Sequence, residues 1–440
     1  MRLSCPDHSN PDGAAARRSG VDRTLALLLK GYGWLPALRR DQPGEHPVAT
    51  RLFGRPTRVL RGPEAVAFFY DEHHALRSGA LPGPVLDTLF GRGAVHTLDG
   101  PEHQARKAMF LSWLTGPEAV GALARGAAEG LRERLAEREG EEVTLFDEGG
   151  LVLARAVRDW AGLPGYDAGG TVRLGRDCVA MVDGFATPGP RHLRARRARK
   201  RQEELLAAEV VRARAAPPAG PPRTPFEAVV AHRDADGSPL DPATAAVELL
   251  NIARPTVAIT WFLTFAAHAM SLRPRLRRRL AEEEPVGLAR SFAHEVRRFY
   301  PFVPFIGALA PDGLVLDGER LPHGTLLLLD VYGRNHDPAL WDDPYRFVPD
   351  RFLTTSPHTD ALIPQGGGPR EGHRCPGEDI TVAVLAELTP VLARLDFTVP
   401  EQDLRIPLNR VPTRPRDGLR IVIGASAGAA SGSLMGGVRP

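Results

Sequence analysis

Cysteine is scarce in this 440-residue chain: Cys5, Cys178 and Cys375 stand far apart, with no Cys-x-x-Cys pair and no Cys/His spacing of the zinc-binding kind. That scarcity excludes a disulfide framework and a structural zinc site, and it fits a reducing cytoplasm. A strong excess of one charge is lacking as well. The formal net charge of +3 is too small for the chain's size to mark a nucleic-acid binder. Long apolar runs are missing too: Leu25–Leu29 is stopped by Lys30, and the stretch from Pro255 to Met270 is short and abuts Arg254. Neither a membrane anchor nor an export signal is expected. No internal repeat is evident.

What is present describes an ordinary soluble globular protein, with 43% hydrophobic and 25% charged residues. We expect one catalytic domain over residues 21–423, because a helical enzyme of this length can form a single unit around a buried cofactor. The flanking segments, a 1–20 extension and a Gly/Ala/Ser-rich 424–440 tail, hold too little apolar surface to fold and are expected to be disordered. Helical composition or spacing marks Leu131–Arg138, Arg191–Ala216, Thr244–Leu272 and Ala289–Tyr300. Strand-like segments lie around Thr57–Leu60, Leu314–Leu316, Leu326–Val331 and Leu419–Ile423. The balance is mainly α with a minor β portion, an α+β fold. Five prolines within Ala215–Pro225 enforce a loop between two helical regions. The basic run Arg191–Arg201, followed by Glu203 and Glu204, reads most simply as a solvated helix face, with anionic partners as the alternative.

One cysteine has an unusual setting. In Ile363-Pro-Gln-Gly-Gly-Gly-Pro-Arg-Glu-Gly-His-Arg-Cys375-Pro-Gly-Glu378 it lies on a glycine-dense loop just before a helical segment. The glycines permit backbone angles closed to other residues and close approach to a flat macrocycle, while a following helix N-terminus stabilises charge on sulfur. Cys375 is thus a candidate axial thiolate for haem iron. Taken alone, such a cysteine is more often one more buried thiol. Two further segments change that reading. Glu295-Val-Arg-Arg298 puts a carboxylate and a guanidinium three apart on one helix face, and Val348-Pro-Asp-Arg351-Phe352 supplies an arginine to complete a Glu–Arg–Arg cluster.

A second anomaly lies in the longest apolar helical pattern, Asn251-Ile-Ala-Arg254-Pro255-Thr-Val-Ala-Ile-Thr-Trp-Phe262. An arginine is costly to bury there, and proline removes an i→i−4 hydrogen bond. Such joint rule-breaking is typical of functional sites: Pro255 opens or bends the helix, and Arg254 awaits an anion in a dry pocket. The bland alternative pairs Arg254 with a nearby protein carboxylate.

The order of the Glu295, Arg298, Arg351 and Cys375 signals resembles the cytochrome P450 haem-thiolate enzymes, whose fold holds haem between a long central helix and the cysteine-ligand loop. In typical oxygen-activating members an acid followed by threonine on that helix delivers protons. Here Arg254-Pro255 stands in its place, which resembles the fatty-acid peroxygenase branch, bacterial enzymes that use hydrogen peroxide. The segment Leu89-Phe90-Gly-Arg-Gly-Ala-Val-His96-Thr-Leu-Asp-Gly-Pro-Glu-His103-Gln-Ala-Arg-Lys107 is similar to the branch's lead into the haem-covering helix. The likeness runs over roughly residues 25–423. Its cysteine loop is shorter than in members of the branch, which touches loop geometry rather than ligation.

The resemblance implies a haem b cofactor, fatty-acid and hydrogen peroxide substrates, no obligatory redox partner, and products hydroxylated at the α or β carbon or decarboxylated to terminal alkenes. A guanidinium binds a carboxylate through two parallel hydrogen bonds, so Arg254 would fix the acid, and that acid would serve as general base and acid in place of the missing protein group. His96 matches a position above the haem where histidine accompanies alkene formation. Phe90 matches an aromatic against the substrate chain, although a phenylalanine there is also plain core. His103 and Lys107, four apart on one helix face, and His373 match contacts to the haem propionates, with surface ion pairing as the competing account. Glu295, Arg298 and Arg351 are assigned to holding the haem-binding core together. Three alternatives stay open on sequence: a monooxygenase dependent on a reductase and acting on a non-acid substrate, a haem-thiolate sensor or carrier without turnover, and a chain that binds no haem.

Overall fold

Asp241 starts the element on which the molecule is built. Its side chain accepts hydrogen bonds from the backbone N–H groups of Ala243 and Thr244, both at 3.0 Å, and Pro242 occupies the first helical position, an arrangement that initiates a helix cleanly. Helix Pro242–Val257 then runs until the chain breaks at Ala258 and resumes as helix Ile259–Ser271. Pro255 has no N–H to give the carbonyl of Asn251, and the interruption falls three residues beyond it, where Trp261 N–H bonds back to Ala258 in a tighter turn. The expected opening of the helix is therefore seen as a break at Ala258, just past Arg254-Pro255. The whole stretch Pro242–Ser271 is apolar and long enough to cross a membrane, yet 94% of its most apolar window is buried within the chain's own interior, as befits a helix hydrophobic all round.

The computed structural model describes residues 21–42, 46–185, 187–216, 220–283, 285–357 and 360–424; the expected disordered segments, 1–20 and the tail beyond Gly424, lie outside them. Helices Leu145–Ala161, Ala168–Gly184, Pro190–Ala215 and Glu378–Arg394 pack around the central pair. Approach is tight at Gly149, where an added Cβ would come within 2.6 Å of Leu263 and 2.7 Å of Thr260. Thr260 also donates to the carbonyl of Phe146 at 2.7 Å, so the same contact is locked by a hydrogen bond.

The β portion is small. Strand Val48–Leu52 pairs antiparallel with Arg55–Leu60, which runs parallel to Leu326–Asp330, itself antiparallel to Phe305–Leu309. Leu327 and Leu329 enter one apolar cluster and Leu328 another, the alternation expected of a strand covered on both faces. A second sheet joins Glu142–Thr144, Arg420–Ile423 and Phe397–Thr398. The mainly α fold with a minor β portion is what the sequence led us to expect.

One reading changes. The basic run lies on helix Pro190–Ala215 and is largely exposed, but Arg199 is buried. It donates to the carbonyls of Thr88 at 3.3 Å and Leu89 at 2.8 Å, and it pairs with Glu203 at 2.9 Å. The run is a solvated face except at this residue, which ties the helix to the turn carrying Phe90.

Candidate active site

Cys375 lies two residues before the N-cap of helix Glu378–Arg394 at the end of the glycine loop. Gly366 and Gly368 have φ of +94° and +74°, and the space that Cβ atoms would fill at both is taken by Tyr70. Burial pushes the Cys375 thiol up, while the Gly377 N–H and the charges of Lys107 and Arg297 favour the thiolate. Gln365, ten residues upstream, directs its side-chain N–H toward the Cys375 sulfur at 3.8 Å and donates to Thr381 at 2.9 Å. Its carbonyl oxygen accepts from Arg297 at 3.1 Å, and Arg297 in turn pairs with Glu378 at 2.5 Å. Sequence reasoning missed Gln365 and Arg297, since the contacts that reveal them come from a separate helix.

Beneath this loop Arg298 grips both oxygens of Glu295 at 2.7 and 2.8 Å, and Arg351 reaches Glu295 at 3.2 Å. Arg298 also donates to the carbonyls of Asn335 and Pro344, both at 2.8 Å. This assembles the anticipated Glu–Arg–Arg cluster, with Glu295 and Arg298 fully buried and Arg351 partly exposed at its edge; each buried charge depends on the others.

On the helix Gly100–Leu114, Lys107 donates to the carbonyls of Gly372 (2.6 Å) and Arg374, tying this helix to the cysteine loop. Burial brings its ammonium down to about 8. His103 stacks on His373 with ring centres 3.8 Å apart. Arg77, which sequence reasoning did not single out, joins them: burial, then Lys107 and Arg77, hold His103 down to about 4, and burial with Arg77, His103 and Lys107 holds His373 down to about 2. Arg77 Nη1, His103 Nδ1 and His373 Nε2 are buried without hydrogen-bond partners. The competing account of ion pairing is present at its edge, where Glu72 lies 3.9 Å from both imidazoles and Asp99 3.7 Å from His373, yet none of these contacts is a hydrogen bond, and the unpartnered Arg77 Nη1 and the two ring nitrogens stay open to an anion. Together with a sulfur poised by N–H donors, this group fits a haem, whose iron takes a thiolate and whose two propionates take cations.

The opposite side is formed by Arg254, Phe90 and His96. Helix Leu86–Phe90 ends at Gly91, with φ of +88°, where a Cβ would collide with Val247 of the central helix at 2.6 Å; only glycine lets the Phe90 turn come so close. Phe90 and His96 rings lie 4.5 Å apart, and the Arg254 guanidinium carbon is 5.6 Å from the Phe90 ring centre. Arg254 is 6% exposed. It donates to Asn251 Oδ1 at 3.1 Å, and among the described residues no carboxylate lies within ion-pair distance, while its Nε has no partner. The bland alternative of a protein carboxylate partner is thereby overturned. Burial and the charge of Arg199 bring the guanidinium down to about 9, with Cys178 and Cys375 acting in the other direction. His96 Nδ1 is likewise orphaned, and burial with Arg254 beside it holds the imidazole down to about 3, so it is neutral.

A cysteine loop at a helix N-terminus, a clamped Glu–Arg core and an interrupted central helix define a haem-thiolate protein. A family model described as Cytochrome P450 matches residues 285–419. Over 92% of this chain the fold is similar to a variant of cytochrome P450SP alpha (CYP152B1), with 37% identity, 98% of that chain covered and a TM-score of 0.86. It is similar as well to an OleT variant solved with arachidonic acid, at 34% identity, 92% and 96% coverage and TM-score 0.86. Cytochrome P450EX alpha (CYP152N1) with myristic acid gives 35%, 92% and 97%, and 0.85. The chain belongs to the cytochrome P450 family, in its CYP152-like peroxygenase branch.

Proposed function

We propose that the protein is a hydrogen-peroxide-dependent fatty-acid peroxygenase that hydroxylates at the α or β carbon, decarboxylates to terminal alkenes, or does both. The observation that carries this reading is Arg254: a buried cation with a free donor and no acidic partner among the described residues, beside an unpartnered ring nitrogen of His96. Leaving a guanidinium desolvated and unpaired is costly, and a ligand carboxylate removes that cost. The relatives solved with arachidonic and myristic acid support the same ligand class.

The cofactor of this reading is haem b; Cys375 would ligate its iron, and Arg77, His103 and His373 would hold its propionates, with Lys107 keeping one proton free beyond its two loop carbonyls. When bound, the haem would activate hydrogen peroxide, which brings the two oxidising equivalents that the reaction consumes. The chain's own residues do the rest. Arg254 binds the acid head through Nε and an adjacent Nη and so fixes which carbon lies nearest the oxidant. The bound carboxylate then accepts and returns the peroxide proton, the task for which this helix holds no acid of its own at Arg254-Pro255. Neutral His96 donates to the carboxylate or takes a proton from it, and Phe90 forms an apolar wall. No obligatory redox partner is part of this scheme. We assign the protein to the cytoplasm as one catalytic domain over residues 21–423.

The test is to mix the holoenzyme with hydrogen peroxide and saturated fatty acids of several lengths, without reductase, and to analyse the products. Hydroxy acids or alkenes from the native protein, lost in Arg254→Ala, are expected. Unchanged turnover in Arg254→Ala, or turnover only with a reductase, overturns the reading.

A further inference from the structure

The central helix carries a polar ladder at three-residue spacing, Glu248, Asn251 and Arg254, all buried. Glu248 is fully enclosed, and burial pushes its carboxyl up against the pull of its donors. Each neighbour that it meets donates to it. The backbone N–H of Val95 reaches Oε1 at 2.7 Å, Arg106 Nη1 reaches the same oxygen at 3.2 Å, and Asn251 Nδ2 reaches Oε2 at 3.0 Å. Arg106 continues outward to Asp234 at 2.6 Å and to the carbonyl of Gly93 at 2.6 Å. One carboxylate thus holds the residue before His96 and the residue one turn before Arg254.

The orientation of Asn251 follows. A carboxylate that is only accepting takes the amide N–H end, so the amide oxygen must face the other way, where it receives Arg254 Nη2 at 3.1 Å. An amide oxygen orients a guanidinium but brings no charge. An acid in its place would both orient and neutralise, and a buried Arg–carboxylate pair leaves little reason to accept a second carboxylate. The helix therefore keeps its negative charge at Glu248, two steps away, and interposes a neutral relay.

We propose that Asn251 is a positioning residue that aims Arg254 at the substrate carboxylate without neutralising it, and that Glu248 anchors Asn251 in the required sense while fixing the His96 turn relative to it. The proposal rests on the reading of Arg254 given above. It makes Asn251 a determinant of the preference for acids over neutral chains and of the carbon that is attacked.

Holoenzyme variants Asn251→Asp, Asn251→Leu, Glu248→Gln and Arg254→Ala would be titrated calorimetrically with myristic acid and with 1-tetradecanol as the uncharged probe. The products formed from myristic acid with peroxide would be resolved by position of attack. Asn251→Asp should weaken myristic acid binding about 30-fold or more, leave the alcohol within about threefold, and not lower the melting temperature. Asn251→Leu, of similar size, frees the guanidinium from its aim: it should change binding by less than about tenfold but spread the sites of attack and lower kcat more than it raises KM. Glu248→Gln, whose own amide can donate to Asn251 Oδ1 and reverse that side chain, should resemble it. Myristic acid binding within threefold of native in Asn251→Asp, while Arg254→Ala has lost it, overturns the role of Asn251 alone. Native-like binding in Arg254→Ala overturns the parent reading instead. Should the Asp variant not fold, an unchanged product distribution in Asn251→Leu is sufficient to refute the proposal, and a spread one upholds it.

Discussion

The guanidinium of Arg254 lies over the ring of Phe90, carbon to ring centre 5.6 Å, and the His96 ring centre is 4.5 Å from that same ring. A desolvated cation against an aromatic face is held electrostatically by the ring. Phe90 is thus a support for the cation as well as an apolar wall, which neither of its two sequence readings included.

Replacing Phe90 by Leu keeps apolar bulk but removes the π face. Loss of a partly desolvated cation–π contact of about 1 kcal/mol should weaken fatty-acid binding about fivefold, measurable by calorimetric titration of the holoenzyme. Equal affinities in the native and Leu variants would show that the ring contributes packing only.

His96 has an unpartnered Nδ1, and burial with Arg254 beside it holds its imidazole down to about 3. His96→Gln retains a donor and an acceptor but differs in reach, so the ratio of alkene to hydroxy acid should fall while total peroxide-driven turnover changes by less than about tenfold. Product analysis by gas chromatography decides; an unaltered ratio would return His96 to the status of a plain pocket residue.

Arg77 is 5% exposed with one unpaired Nη, and its backbone N–H is bound by Asp99 at 2.8 Å. Arg77→Leu removes a buried cation whose guanidinium has no ion pair among the described residues, Asp99 and Glu72 acting on it only from beyond contact. We expect the variant to fold, to retain haem less well than native by about tenfold or more in a haem-transfer assay to an acceptor globin, and to keep its far-ultraviolet circular dichroism. Unchanged haem transfer would exclude Arg77 from the propionate cradle.

His268 donates to or accepts from Tyr300 at 2.9 Å, His336 is bonded to the Tyr332 carbonyl at 2.9 Å, and burial holds both imidazoles down to about 4 from 6.5. Between those values the unfolded chain binds more protons than the native one, so stability is fully present above pH 6.5 and is lost as pH falls toward 4. The loss is on the order of 3 kcal/mol for each histidine at most. Urea unfolding at pH 7 and pH 5 should show it, and His336→Phe should flatten the dependence; identical midpoints at the two pH values would contradict it.

Much of the site was legible along the chain because its chemistry is local in sequence. The glycine loop around Cys375, the Glu295/Arg298 spacing and the Arg254-Pro255 pair are each defined by neighbours a few residues apart. Glu248 and Asn251 stand at regular three-residue steps before Arg254 and were readable in principle, had the polar residues of an apolar helix been followed as one face. Arg199 was misread with its neighbours as solvated because a run of like residues conceals the one that points inward.

Sequence by itself determined the residue types: which thiol sits on a permissive loop, which helix must break, and which cation was placed where solvent cannot reach it. Only the tertiary structure decided what those groups meet. That Arg254 faces an amide oxygen and not a carboxylate, that Arg77 joins His103 and His373, and that Gln365 turns its N–H to the Cys375 sulfur all depend on contacts between separate elements. Hydrogen bonds and charge pairs act over a few ångströms, and the packing of helices around the central one is what brings such groups within that range.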